Sequence, residues 1–217
     1  MIREILHLLQ KEILLEWRRK YALGGIMLYV FSSIYIVYAG FIRIPLNTWN
    51  AIFWILVLFI SINAVAKSFV MENSRRQLYY YQLARPSAIL LSKMIYNSLL
   101  LMLLIGLSFL GMSLIAGNPV RDPGLFWITT ILASLGLGIT FTFTSAIASK
   151  ANNSAGLLAI LSFPLVIPIL MSLIKLSAVA VGLVFDSAWA KDVWTLLAID
   201  ALLVTLTFIL FPYVWKD

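Results

Sequence analysis

Very few side chains in this sequence can do chemistry, and where they fall narrows what that chemistry can be. In 217 residues there is no cysteine and one histidine, His7. Thiol nucleophiles, disulfides and cysteine-ligated metals are therefore excluded. His7 sits on an amphipathic stretch and reads as an ordinary interfacial residue. No G-x-x-x-x-G-K-[ST] run is present, so the chain has no P-loop for a nucleotide, and there is no H-E-x-x-H pair to hold zinc. Two charges stand out by position. Asp200 is the one charge between Val193 and Trp215, and Lys175 follows a charge-free run from Ala151 to Ile174. An intramembrane charge costs on the order of 2.5–3.5 kcal/mol by insertion scales, so it faces protein or water. Lys175 and Asp200 can pair, or line an outward-facing cavity that meets an anionic substrate; pairing or snorkelling is the simpler reading. Proton-transfer or metal catalysis within the membrane needs paired carboxylates or a ligand set that this sequence lacks. The chain reads as a non-enzyme.

The elements that would position these residues follow from the charge-free runs. Hydrophobic residues make up 62% of the chain and charged residues 12%. A bilayer core about 30 Å thick needs roughly 20 helical residues. Six segments meet that length: about 21–42, 44–66, 90–116, 124–148, 154–175 and 193–214. They predict an all-α membrane protein, one transmembrane domain over 1–217, with no room for a soluble catalytic domain. Residues 1–20 precede the first span. There Ile2, Ile5, Leu6, Leu9, Ile13 and Trp17 recur at three- and four-residue steps, predicting an amphipathic helix in the inner interface.

The net charge of +7 would suggest nucleic acid in a soluble protein, but here it obeys the positive-inside rule. With six spans, Arg3, Lys11, Arg18, Arg19, Lys20, Lys67, Arg75, Arg76, Arg85, Lys93, Lys150 and Lys216 share one side, and Arg43, Arg121, Lys175 and Lys191 the other. Both termini are thus expected in the cytoplasm. Trp17 and Trp215 are expected at the inner headgroups, and Trp49, Trp127, Trp189 and Trp194 at the outer ones.

Three local patterns bear on mechanism. The 67–89 loop is the longest cytoplasmic connection, with Glu72, Arg75, Arg76, Gln77, Leu78 and the run Tyr79, Tyr80, Tyr81 before Pro86. Asn73 or Ser74 can cap a short helix there, which Pro86 ends while biasing Arg85 away from helical geometry. Such a helix, charged at one end and aromatic at the other, suits docking on a partner. In the fourth span Ser134, Gly138, Thr142 and Ala146 recur every four residues, a stripe on which helices pack closely. In the fifth, Pro164 and Pro168 remove backbone donors near mid-membrane and mark a candidate hinge. The apolar segment Leu176–Phe185 is too short to span and is expected to be re-entrant or interfacial.

Together the interfacial helix, the helix between spans two and three and the missing ATPase resemble the permease subunits of ABC exporters, of the ABC-2 type. More narrowly, the chain resembles the heme exporter protein B (CcmB) family over nearly its whole length. The double-proline run from Leu157 to Leu170 is similar to the family's, as is the segment from Phe69 to Lys93 with Glu72, Gln77-Leu78, Pro86 and Ser92-Lys93. Where many members carry an acidic pair and a Gly-Ser/Thr-Leu-Glu run, this chain has Asn73-Ser74-Arg75-Arg76-Gln77-Leu78. The resemblance implies a bacterial inner-membrane subunit of a cytochrome c maturation complex, with heme as cargo rather than bound cofactor and ATP handled by a partner. The implied partners are a CcmA-like cytoplasmic ATPase, CcmC-like and CcmD-like membrane proteins, a CcmE-like heme chaperone, the lipid bilayer and a second permease copy, with no nucleic acid. The alternatives are an ABC permease for lipid or polysaccharide and a non-transporting assembly scaffold.

Overall fold

The computed structural model describes residues 2–18, 20–40, 44–65, 85–149 and 154–216. Among these residues every regular element is a helix. The seven helices are α1 (Ile2–Arg18), α2 (Lys20–Gly40), α3 (Leu46–Val65), α4 (Pro86–Ala116), α5 (Pro123–Ala148), α6 (Ser154–Ala180) and α7 (Trp189–Lys216). Five of them, α3 to α7, are long and apolar enough to cross a membrane, and α2 contributes a shorter apolar stretch, Gly24–Gly40.

Local chemistry sets the ends. Arg85 is extended (φ −67°, ψ 137°) ahead of Pro86, the first residue of α4. This is the geometry a following proline imposes, and proline suits a first helical position because its missing N–H would have had no partner there. At α5, Asp122 accepts the Leu125 N–H at 3.0 Å, again with proline next in line. The N–H groups of Arg121 and Asp122 donate to the Ala180 carbonyl at 3.0 and 2.9 Å. The start of α5 is thereby fastened to the end of α6. Since α6 is helical to Ala180, the Leu176–Phe185 segment is no separate re-entrant piece; its first half is the last turn of the fifth apolar helix.

Helix α5 is the centre of the bundle. It is buried on nearly every face and packs against α3, α4, α6 and α7. Its glycines make this possible. A Cβ on Gly138 would stand 2.6 Å from Ser98 Oγ and 3.0 Å from Ser98 Cα on α4. Ser134, Gly138, Thr142 and Ala146 are all buried, and Asn97 of α4 donates to Thr142 Oγ1 at 2.8 Å. Small residues let backbones meet where lipid offers no hydrophobic driving force. The α5 hydroxyls are satisfied within the helix: Thr129, Thr130, Thr140, Thr142 and Thr144 each donate to the carbonyl four residues back.

An aromatic cluster packs where α3, α4 and α5 meet. Trp49 stacks on Phe53 at 5.3 Å, and Phe109 lies 4.7 Å from Phe126 between ring centroids. Trp49 is 2% exposed. It is therefore a core residue rather than the headgroup anchor its position suggested, whereas Trp127, Trp189 and Trp194 are exposed.

Candidate functional site: the polar centre of the bundle and its two clamps

The expected site residues are not brought together in one place. Glu72, Arg75, Arg76, Gln77, Leu78, Tyr79, Tyr80 and Tyr81 lie outside the described residues. Pro86 opens α4 directly after that segment. Pro164 and Pro168 lie within α6, which stays helical through both, and both are exposed. The opposite face of that turn is buried through Val166 and Ile169. The proline turn thus presents its interrupted backbone outward and its packing surface to the bundle.

Lys175 and Asp200 are not an ion pair. Lys175 is exposed on α6, while Asp200 on α7 is 7% exposed, and neither carboxylate oxygen has a hydrogen-bond partner among the described residues. Helix α7 begins at Trp189, so Asp200 lies about 16 Å along the helix axis from its first residue. Its carboxylate fills a notch left by glycine. A Cβ on Gly136 would stand 2.6 Å from Asp200 Oδ1 and 3.4 Å from Ile169 Cγ2. The seam of α5, α6 and α7 therefore joins the central helix, the residue next to Pro168 and a buried acid.

Two clamps flank this centre. One joins α3 to α6 beyond the prolines. Asn50 Nδ2 donates to the Ile174 carbonyl at 3.1 Å, Ser177 Oγ donates to Asn50 Oδ1 at 2.7 Å, and Trp54 Nε1 donates to Ser177 Oγ at 2.6 Å. The other joins α1 to α4. Lys93 Nζ lies 3.5 Å from Glu12 Oε1, and Lys11 Nζ lies 3.1 Å from the same oxygen. Burial pushes the Glu12 carboxyl up, but the Lys93 and Lys11 ammoniums outweigh it and hold the group below the usual carboxylate range. Neither clamp was read from the sequence, since each joins residues far apart in the chain with no local pattern to announce them.

Among the described residues no group of His, Cys, Asp or Glu can hold a metal ion. What the arrangement offers is a set of apolar spans with buried polar fasteners, the equipment of a membrane subunit. The CcmB protein family matches residues 3–214. The chain belongs to the CcmB family, the heme exporter protein B family. No curated protein and no solved structure matches it. Membership makes this CcmB-family chain a membrane component of heme export in cytochrome c maturation. The family is one of transporter membrane subunits, in keeping with a fold that carries its polar groups as helix fasteners.

Proposed function

We propose that the chain is the transmembrane subunit of an ABC complex in the bacterial inner membrane, coupling ATP hydrolysis by a CcmA-like cytoplasmic partner to heme export or to release of a CcmE-like heme chaperone. In this reading α2, 21 residues long and so about 31 Å, joins the other five apolar helices as a sixth crossing, with both termini cytoplasmic. Two copies and CcmC-like and CcmD-like membrane proteins complete the assembly.

The observation that carries the coupling is the Glu12–Lys93 pair. The loop expected to meet the ATPase leads directly into Pro86, and Lys93 lies two turns further along α4 with its ammonium on α1. A displacement of the loop would move α4 and the amphipathic helix together, and from α4 reach α5 through the Ser98–Gly138 contact. Coupling of this kind requires each nucleotide state to favour a different helix arrangement. Replacing Tyr79, Tyr80 and Tyr81 with alanine in the reconstituted complex is expected to abolish substrate-dependent ATPase activity while leaving membrane insertion intact. Unchanged coupling would remove the loop from the mechanism.

A further inference from the structure

We propose that Asp200 is a proton-binding site within the spans: a neutral carboxylic acid while the seam of α5, α6 and α7 is closed, which releases its proton when α7 leaves Gly136 and water enters. The inference is independent of the transport role, because it concerns the chemical state of one side chain in lipid.

The packing leaves room for little else. Both carboxylate oxygens are buried and without a hydrogen-bond partner among the described residues. Buried charges are paired or coordinate a metal; a buried carboxyl with neither gives up its charge by taking a proton. A hydrated cation does not fit where even a methyl group on Gly136 would stand 2.6 Å from Oδ1, with Ile169 beside it. Among the described residues no cationic side chain supplies the missing partner. Helix α7 packs on α4, α5 and α6. Helix α5 has no ionisable residue, and α6 has Lys175 alone, which is exposed. On α4 the ionisable groups are Tyr96 and Lys93, the latter committed to Glu12. On α7 itself Lys191 and Asp192 lie in the first turn, and Tyr213 and Lys216 in the last two turns.

The position also gives protonation something to report. Asp200 touches the central helix at Gly136, and Ile169 of that same contact follows Pro168. A bend at the prolines that lifts Ile169 off Gly136 opens the notch, and an acid met by water ionises. Closing the seam again requires a proton to be taken up. Movement of α6 and the proton occupancy of Asp200 are then linked, each biasing the other.

Difference infrared spectroscopy of the full chain in lipid nanodiscs, wild type against Asp200→Asn, tests this. The wild type at neutral pH is expected to show the carbonyl stretch of a protonated carboxylic acid free of hydrogen bonds, absent from the Asp200→Asn protein. Gly136→Ala, which forces the carboxyl out of its notch, is expected to convert that band wholly or partly to carboxylate. An ionised Asp200 in the resting wild type overturns the proposal, and so does an acid band that Gly136→Ala leaves unaltered. Should the Gly136→Ala protein fail to fold, the wild-type spectrum alone decides between acid and carboxylate.

Discussion

Lys93 of α4 meets Glu12 of α1 at 3.5 Å with only 3% of the lysine side chain exposed. The contact converts an amphipathic helix, which could otherwise drift in the interface, into a fixed part of the bundle. Leu6, Ile13 and Leu14 of that helix remain exposed, available to lipid. Breaking one half of a buried pair strands the other charge at a cost of about 3–5 kcal/mol. Glu12→Gln is expected to lower stability by less than that, and Lys93→Met by less again because Lys11 still pairs with Glu12 at 3.1 Å, both measured by thermal unfolding in nanodiscs.

The same pair gives a pH dependence with a definite sign. The folded Glu12 carboxyl titrates below its ordinary value of 4.5. Its stabilisation is fully present above that ordinary value and is lost as pH falls through the depressed folded one. Acid-induced release of α1, followed by a fluorophore on its exposed face, is expected in the wild type and is expected to lose its Glu12 component in Glu12→Gln.

Gly138 and Gly106 form a matched comparison. A Cβ on Gly138 meets the Ser98 backbone, which cannot swing aside, but one on Gly106 meets nothing within 4 Å. Overpacking of this kind costs typically about 1–3 kcal/mol, so Gly138→Ala is expected to lower the unfolding midpoint. Gly106→Ala is expected to leave it unchanged or raise it, since alanine is the better helix former.

Ser177 closes the α3–α6 clamp as donor to Asn50 and acceptor from Trp54. Hydrogen bonds between membrane helices average about 0.6 kcal/mol and reach about 1.7. Ser177→Ala is expected to cost about 1 kcal/mol, and a double-mutant cycle with Asn50→Leu should return a coupling energy of that order.

Pro164 and Pro168 are exposed, so replacing them removes little packing. Pro164→Ala and Pro168→Ala should insert normally and unfold no earlier than the wild type. If the turn is the hinge of the proposed cycle, cargo-dependent ATPase activity of the double variant falls about tenfold, equivalent to ~1.4 kcal/mol between two helix arrangements. Full activity would make the prolines a static feature.

How much of this was legible beforehand depends on whether the signal was local. Charge-free runs announce helices because only regular hydrogen bonding satisfies a backbone in lipid, and the Ser134–Ala146 stripe announces a close approach. The fold's neighbours carry no such mark. A span that is apolar all round has no face for periodicity to reveal, so nothing in the residues around Gly136 or Asp200 says that α5 and α7 touch there. Trp49 misled for a related reason. Its place near a helix end fits a headgroup anchor, and only the packing of α4 and α5 against α3 buries it. Lys175 and Asp200 look complementary in sequence, yet one is exposed on α6 and the other is enclosed.

The self-contained hydrogen bonding of α5 bears on where a cargo can travel. Its threonine hydroxyls are spent on its own carbonyls and four helices pack around it, so any passage beside it begins with a parting of helices. A flat porphyrin going that way would have to prise the central helix from several partners at once.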